Sequence, residues 1–276
     1  MSTVFGDAIR RIAAVDLFKR NGNGKWETGL FVGRPFYLDY EKAFVLVADA
    51  WKNKAKGIPQ GSFLLAYYEN ETDVSEALLL RALKPTTLPT DNDIISSMIE
   101  YYKDNLRTAG ANAQLDSFTR YEFSFSGLEC RILGTFFVET SEDGSRTVRF
   151  GADVENFYSA HNYSVVKPSA EVLEALVNFR EGMVTGRPSD IRIGTVRYSS
   201  TRRFQSEEDS VPVYVSAQDF LGTRTALFGM TRTGKSNTVK KIIQATVRMS
   251  EAAPYQLDNP VEEKVEEQLE PFTNSG

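Results

Sequence analysis

Four positions late in the chain, Gly229, Gly234, Lys235 and Ser236, are spaced as Gly-x-x-x-x-Gly-Lys-Ser and lie between two contrasting patterns. Thr225-Ala-Leu-Phe228 before them is a short apolar run. Asn237 to Arg248 after them carries Val239, Ile242, Ile243, Thr246 and Val247 on one helical face. The order predicts a strand, a glycine loop and a helix. At average residue frequencies the four positions coincide in roughly 1% of chains this long, and the flanking pattern lowers that further.

Each residue type in the loop has a physical reason. Glycines let backbone N–H groups turn inward and approach phosphate oxygens closely. The following helix presents unpaired N–H groups and the positive end of its dipole to the same anion. Lys235 can reach β- and γ-phosphates, and the Ser236 hydroxyl can ligate Mg²⁺. The expected nucleotide-binding residues are Gly229, Met230, Thr231, Arg232, Thr233, Gly234, Lys235, Ser236 and Asn237, with ATP and Mg²⁺ as ligands. Lys235 is the residue expected to serve the chemistry, and Arg232 is expected to face water.

Composition excludes several other classes. The chain has 276 residues, 41% hydrophobic and 25% charged, which suits an ordinary globular protein. Its one cysteine, Cys130, and one histidine, His161, leave no internal disulfide, no Cys/His metal spacing and little basis for a Ser–His–Asp triad. His161 is expected in a loop or at a strand end. No stretch approaches the roughly 20 apolar residues that span a bilayer, so a cytoplasmic location without membrane contact is the expectation. The net charge of −5 hides an asymmetry. Residues 224–248 hold Arg224, Arg232, Lys235, Lys240, Lys241 and Arg248 with no Asp or Glu, whereas the tail from Ser250 is acidic. Glu207-Glu208-Asp209 and the Arg202-Arg203 pair are expected as solvated charge in a polar loop.

Earlier in the chain, short aromatic and β-branched runs separated by Gly/Pro turns predict a small antiparallel barrel or sandwich. These are Gly29–Val32, a Gly33-Arg34-Pro35 turn, Phe36–Leu38, Phe44–Val47 and Ser62–Tyr68. Residues 90–107 switch to helical spacing through Ile94, Ile95, Met98, Ile99, Tyr102 and Leu106, with Thr90 and Asp93 as a capping pair and Gly110 as a stop. Strands return at Tyr121–Phe125 and Leu128–Thr140, followed by a hairpin to Thr147–Phe150. Whether residues 118–165 complete the barrel or form a separate layer is open at this level. Ser169 caps a helix through Val172, Leu173, Leu176 and Val177, ending near Gly182. Ile191–Tyr198 and Val211–Val215 read as two more strands, joined by a polar loop, Ser199 to Ser210.

The residues Val211-Pro-Val-Tyr-Val215, Asp219-Phe-Leu-Gly-Thr-Arg-Thr-Ala-Leu-Phe228 and Gly229-Met-Thr-Arg-Thr-Gly-Lys-Ser-Asn237 resemble the HerA/FtsK group of hexameric DNA-translocating ATPases, and within it the bacterial HerA-like proteins. That family has a strand, an Asp-Leu step, a short basic linker, a strand and a P-loop ending in Ser-Asn. Here Phe220 separates Asp219 from Leu221. The specific resemblance spans residues 190–248, and the family also opens with a small β-barrel. It implies a mixed α/β chain: an N-terminal antiparallel barrel over 1–165 with a helical insertion near 90–108, the start of a RecA-like P-loop ATPase domain over 166–249, and an acidic segment over 250–276. It further implies a homo-hexamer with ATP at subunit interfaces, double-stranded DNA in the channel, and a nuclease or sirtuin-like effector as partner, the latter in anti-phage defence. Lys235 and Ser236 match the family's phosphate and Mg²⁺ residues.

A hydrolysing P-loop enzyme also needs an acidic residue at the end of a later strand, to hold Mg²⁺ and orient water. Residues 249–276 offer an acidic helix candidate through Val261, Val265 and Leu269, and no strand ending in Asp or Glu. Each further parallel strand takes a crossover of about a dozen residues. The expected ATPase domain is therefore incomplete, the chain reads as the N-terminal part of a longer protein, and whether it is an enzyme alone is open. The function expected is that of an ATP-binding portion of a HerA-like translocase or helicase. The alternatives are an ATP-responsive scaffold that regulates an effector, or an inactive gene fragment.

Overall fold

The computed structural model describes residues 17–23, 26–69, 75–108, 123–140, 142, 146–180, 190–199, 201, 210–216, 219–220, 224–230 and 234–252. The chain divides into two compact units. One comprises Val15–Leu173 with Arg197–Ser210, and the other Glu174–Val196 with Val211 onward.

The first unit is a closed antiparallel barrel. Its strands are β1 (Gly29–Leu38), β2 (Lys42–Ala48), β3 (Phe63–Tyr68), β4 (Glu76–Thr86), β5 (Phe125–Thr140) and β7 (Tyr163–Pro168). The order β2-β1-β7-β3-β4-β5 returns to β2 through a β2–β5 ladder, so six strands form the ring. A further strand, β6 (Arg146–Gly151), pairs with β5 outside it. The segment left open by sequence therefore completes the barrel: β5 and β7 are both ring strands. The predicted hairpin forms as β5–β6, with Thr140 opposite Arg146.

Period-2 alternation fills the interior. Ala43, Val45 and Val47 of β2, Leu64, Ala66 and Tyr68 of β3, and Leu78, Leu80 and Ala82 of β4 point inward. Leu128, Cys130 and Ile132 of β5 and Tyr163 and Val165 of β7 meet them. Each large aliphatic side chain so buried contributes about 1.5–3 kcal/mol. On the outer side, Tyr67 is also buried: its hydroxyl donates to the Leu17 carbonyl at 2.8 Å and its ring stacks on Trp26 at 4.1 Å. Burial pushes the Tyr163 hydroxyl up to about 12, mainly by desolvation.

Three expectations need correction. The Gly33-Arg34-Pro35 turn is not a turn; β1 runs continuously from Gly29 to Leu38. Its register shifts on both sides, against β7 between Phe31 and Gly33 and against β2 between Pro35 and Tyr37. The glycine is needed because an added Cβ would lie 2.0 Å from the Leu46 carbonyl oxygen, and the bulge accommodates a proline that cannot donate to a ladder. The actual β1–β2 turn is built by Asp39, whose Oδ1 accepts from the amides of Glu41 at 2.7 Å and Lys42 at 2.6 Å. Second, β4 (Glu-Ala-Leu-Leu-Leu-Arg-Ala-Leu-Lys-Pro-Thr) was not expected, because its Ala, Leu and Glu content carries no strand signal. Third, α2 (Asp91–Thr108), which follows the short α1 (Asp49–Lys54), starts with the Asp91 carboxylate accepting the Leu88 amide at 2.6 Å. Its apolar stripe is only partly covered: Ile94 and Met98 are half-buried, whereas Ile95 and Ile99 are exposed. The expected stop at Gly110 and the Gly182 helix end lie outside the described residues.

Helix α3 (Ala170–Val177) is capped as expected, the Ser169 hydroxyl accepting the Val172 amide at 3.3 Å. The second unit then contains β8 (Asp190–Thr195), β9 (Pro212–Ser216) and α4 (Lys235–Ala252). β8 and β9 pair antiparallel, with Ile191 opposite Val215. Asn178 pins this unit: its amide donates to the carbonyls of Glu174 and Pro212, both at 2.9 Å, and its Oδ1 accepts the Tyr214 amide at 2.7 Å. Arg180 pairs with Asp190 at 2.9 Å. Among the described residues the only sheet here is the β8–β9 pair.

Candidate nucleotide-binding loop

The site is built where the chain turns into α4. Gly234 has φ +88°, a left-handed conformation that L side chains rarely adopt. Its carbonyl then accepts the amides of Asn237 and Thr238, each at 3.0 Å, and so begins the helix. The two amides ahead of these, of Lys235 and Ser236, belong to the first turn, where a helix supplies no acceptor of its own. Among the described residues, a Cβ placed on Gly234 would meet no heavy atom within 4 Å.

Lys235 is the first residue of α4, and the first turn holds no acidic residue. A cation at the positive end of a helix dipole is unfavourable without a nearby anion or strong acceptors. The structure supplies acceptors: Lys235 Nζ donates to the carbonyls of Gly229 and of Met230, the latter at 2.7 Å. The ammonium thus closes the loop back on its own first residues. An ammonium has three donors, and among the described residues these two carbonyls are its acceptors. Ser236 and Asn237 are exposed beside it. Thr231, Arg232 and Thr233 lie outside the described residues. Of the expected set, the structure therefore brings Gly229, Met230, Gly234, Lys235, Ser236 and Asn237 to one end of α4. Sequence reasoning counted Met230 through its amide; its carbonyl, which no side-chain identity signals, is what grips Lys235.

The flanks differ from expectation. Thr225–Phe228 is not a strand: residues 224–230 have no regular secondary structure. A strand exists only with a partner ladder, and among the described residues none lies alongside. Phe228 is accordingly 93% exposed and Met230 81%. Helix α4 forms as expected, with Lys241 Nζ donating to the Arg192 carbonyl of β8 at 3.2 Å. Its apolar face is not buried, however. Ile242 and Thr246 are half-buried, while Val239, Ile243 and Val247 stand exposed. Arg224, Lys240 and Arg248 are exposed too, so the described part of this segment is a cationic surface.

The remaining candidates settle simply. His161 lies in a single 3-10 turn, Ala160–Asn162, at the start of β7, and its carbonyl accepts from Arg34 at 3.3 Å. Cys130 is buried in the barrel, and desolvation pushes its thiol up to about 12, so it is not a nucleophile. Arg202-Arg203 and Glu207-Glu208-Asp209 lie outside the described residues. Among the described residues, no cluster of His, Cys, Asp and Glu is arranged to hold a metal ion, and no helix is long and apolar enough to cross a membrane.

Residues 191–254 match the family described as Helicase HerA, central domain. The match begins in β8, runs through β9 and the glycine loop, and ends just past α4. It supports a HerA-like ATPase portion in this part of the chain. Comparison with curated proteins returned no match.

Proposed function

We propose that Gly229–Asn237 binds the triphosphate of ATP with Mg²⁺, and that the chain is the ATP-binding portion of a HerA-like DNA-translocating ATPase. The observation that carries this reading is the arrangement at the start of α4. A lysine is the first residue at the positive helix end, the first turn holds no acidic residue, and the glycine before it takes a left-handed conformation. An anion there offsets both the helix dipole and the ammonium charge. Lys235 would contact the β- and γ-phosphates, Ser236 Oγ would ligate Mg²⁺, and the loop amides up to Ser236 would line the phosphates. Bound Mg²⁺ would neutralise phosphate charge and align the γ-phosphoryl group for attack by water.

The match to the HerA central domain supports assembly as a homo-oligomer, for which we propose a hexamer with double-stranded DNA in its channel. The cationic residues Arg224, Lys240 and Arg248 suit contact with phosphate backbone. A nuclease or sirtuin-like effector is the proposed partner, in anti-phage defence within the cytoplasm, and a RecA-like core is the proposed setting of the loop. ATP turnover with and without double-stranded DNA tests the motor. Stimulation by DNA, weakening steeply with salt, is expected. Nucleotide binding indifferent to DNA would instead favour an ATP-responsive scaffold.

A further inference from the structure

One wall of the barrel carries its charge unevenly. Lys42 of β2 lies directly opposite Arg131 of β5, and Arg131 lies directly opposite Arg81 of β4. Directly opposed residues share a face, and all three are exposed, so they form one cationic row across the outside of three adjacent strands. Like charges so placed work against the sheet. The neighbouring row over the same strands is Phe44, Glu129 and Lys84. Its carboxylate is occupied by Lys42 at 3.1 Å and Lys84 at 3.5 Å. Asp39, near the Lys42 end, has its oxygens engaged by the amides of Glu41 and Lys42 and by the Tyr37 hydroxyl at 3.1 Å. Among the described residues, Arg81 and Arg131 form no ion pair. Aromatic rings adjoin the row. Tyr37 of β1 lies opposite Phe44, with ring centroids 5.3 Å apart, and is 48% exposed. Phe44 on one side and the Asp39 hydrogen bond at its tip fix the Tyr37 ring, so little freedom is lost when a flat group lies on it.

We propose that this wall of the barrel binds single-stranded nucleic acid, at a site separate from the duplex contact proposed above. Arg81 and Arg131 hold phosphates, Lys42 and Lys84 flank them, and Tyr37 stacks a base. Charge complementarity selects a polyanion, because four cations surround a single carboxylate that two of them already hold. Arginine suits the phosphate role through its planar fork of paired donors. The exposed ring selects among polyanions. Stacking on an aromatic side chain needs an unpaired base, and single strands offer one at every step. The wall runs from β1 through β2 and β5 to β4, three strand spacings or roughly 14 Å, which sets base and phosphate contacts side by side.

Fluorescence anisotropy of a labelled oligothymidine of about 16 nucleotides, titrated with the full chain across a salt series, tests this. The double variant Arg81→Gln/Arg131→Gln should weaken binding on the order of 10-fold or more. Its slope of log affinity against log salt should shrink by about 1.4, two phosphates at about 0.7 each. Its melting temperature should hold, since opposed like charges are relieved. Tyr37→Ala should weaken binding about 5-fold or more and leave the salt slope unchanged, which a purely electrostatic surface would not do. Native affinity and slope in the double variant would overturn the proposal, as would a native chain that does not bind the oligonucleotide at low salt. Displacement by a charge-matched oligoglutamate, with no effect of Tyr37→Ala, would also overturn it and assign the face to an acidic protein segment. The assay contains neither ATP nor Mg²⁺, so its outcome stands apart from the proposed ATP site.

Discussion

Gly134 decides whether β5 can bend around the barrel. Leu79 faces Gly134 while Leu80 faces Ile132, so Leu133 is an extra residue that kinks β5 at this point. Gly134 takes φ +147° there. A Cβ at that position would lie 2.2 Å from the Gly151 carbonyl oxygen of β6 and 2.7 Å from the Phe150 ring. Phe150 cannot swing away cheaply, because its ring also packs on Phe136 at 4.8 Å. Backbone strain of about 1–3 kcal/mol adds to an overpacking cost of about 1–3 kcal/mol. Gly134→Ala should therefore destabilise the barrel by about 4 kcal/mol, a large share of the roughly 5–15 kcal/mol a domain has. For a unit of this size that is a drop of roughly 8–16 °C in melting temperature. Urea titration and thermal melting followed by near-ultraviolet dichroism measure it. Gly22→Ala is the control, since a Cβ there meets nothing within 4 Å. A Gly134→Ala variant that melts with the native protein would refute the bulge as the device that shapes β5.

Other expected outcomes follow from the same geometry. Gly234→Ala meets no clash among the described residues but forces φ +88° on an L residue, a strain of about 1–2 kcal/mol; ATP affinity measured by titration should fall roughly 10-fold while the barrel melts normally. Glu129 lies between Lys42 at 3.1 Å and Lys84 at 3.5 Å. The Lys42 hydrogen bond and the two lysine charges outweigh burial and hold its carboxyl below the usual range. A depressed folded value means the stabilisation is complete above the ordinary carboxyl range and is lost as pH falls through the folded value. The gap in melting temperature between the native chain and Glu129→Gln should thus be greatest near neutrality and close in acid; a gap that widens in acid contradicts the pairing. Cys130, with its thiol pushed up to about 12, should resist a disulfide reagent at mildly alkaline pH in the native protein and react at once in denaturant.

Much of the barrel was legible because strand periodicity and turn chemistry are local. Ser62–Tyr68, Phe44–Val47 and the β5–β6 hairpin are short runs rich in aromatic, aliphatic or β-branched residues bounded by turn residues, and Ser169 caps α3 through an oxygen that its sequence position announces. β4 escaped because Leu78, Leu80 and Ala82 are strand residues only through their place between β3 and β5, where tertiary pairing overrides helix propensity. The Gly33–Pro35 turn failed for a related reason: the same Gly and Pro that mark turns also mark bulges, and only the Leu46 carbonyl behind Gly33 tells them apart. At the site, the glycine spacing located the start of α4 and the cation beside it. It gave no sign that the Gly229 and Met230 carbonyls would hold Lys235, because those acceptors are backbone. The strand expected at Thr225–Phe228 did not form, since apolar content alone does not provide a neighbouring ladder. The apolar pattern carries the β8 strand on to Tyr198, whereas β8 ends at Thr195 and Tyr198 seats on Phe63 through a contact 135 residues distant in sequence.

The central claim is that the loop at the head of α4 holds a triphosphate through Lys235, and the most direct measurement is Mg²⁺-ATP affinity by calorimetry for the native chain and for Lys235→Ala. Removing a charged hydrogen-bond donor, worth about 1.5–3 kcal/mol, should weaken binding at least 10-fold, with the barrel's melting temperature unmoved. Equal affinity in the two proteins would contradict the account.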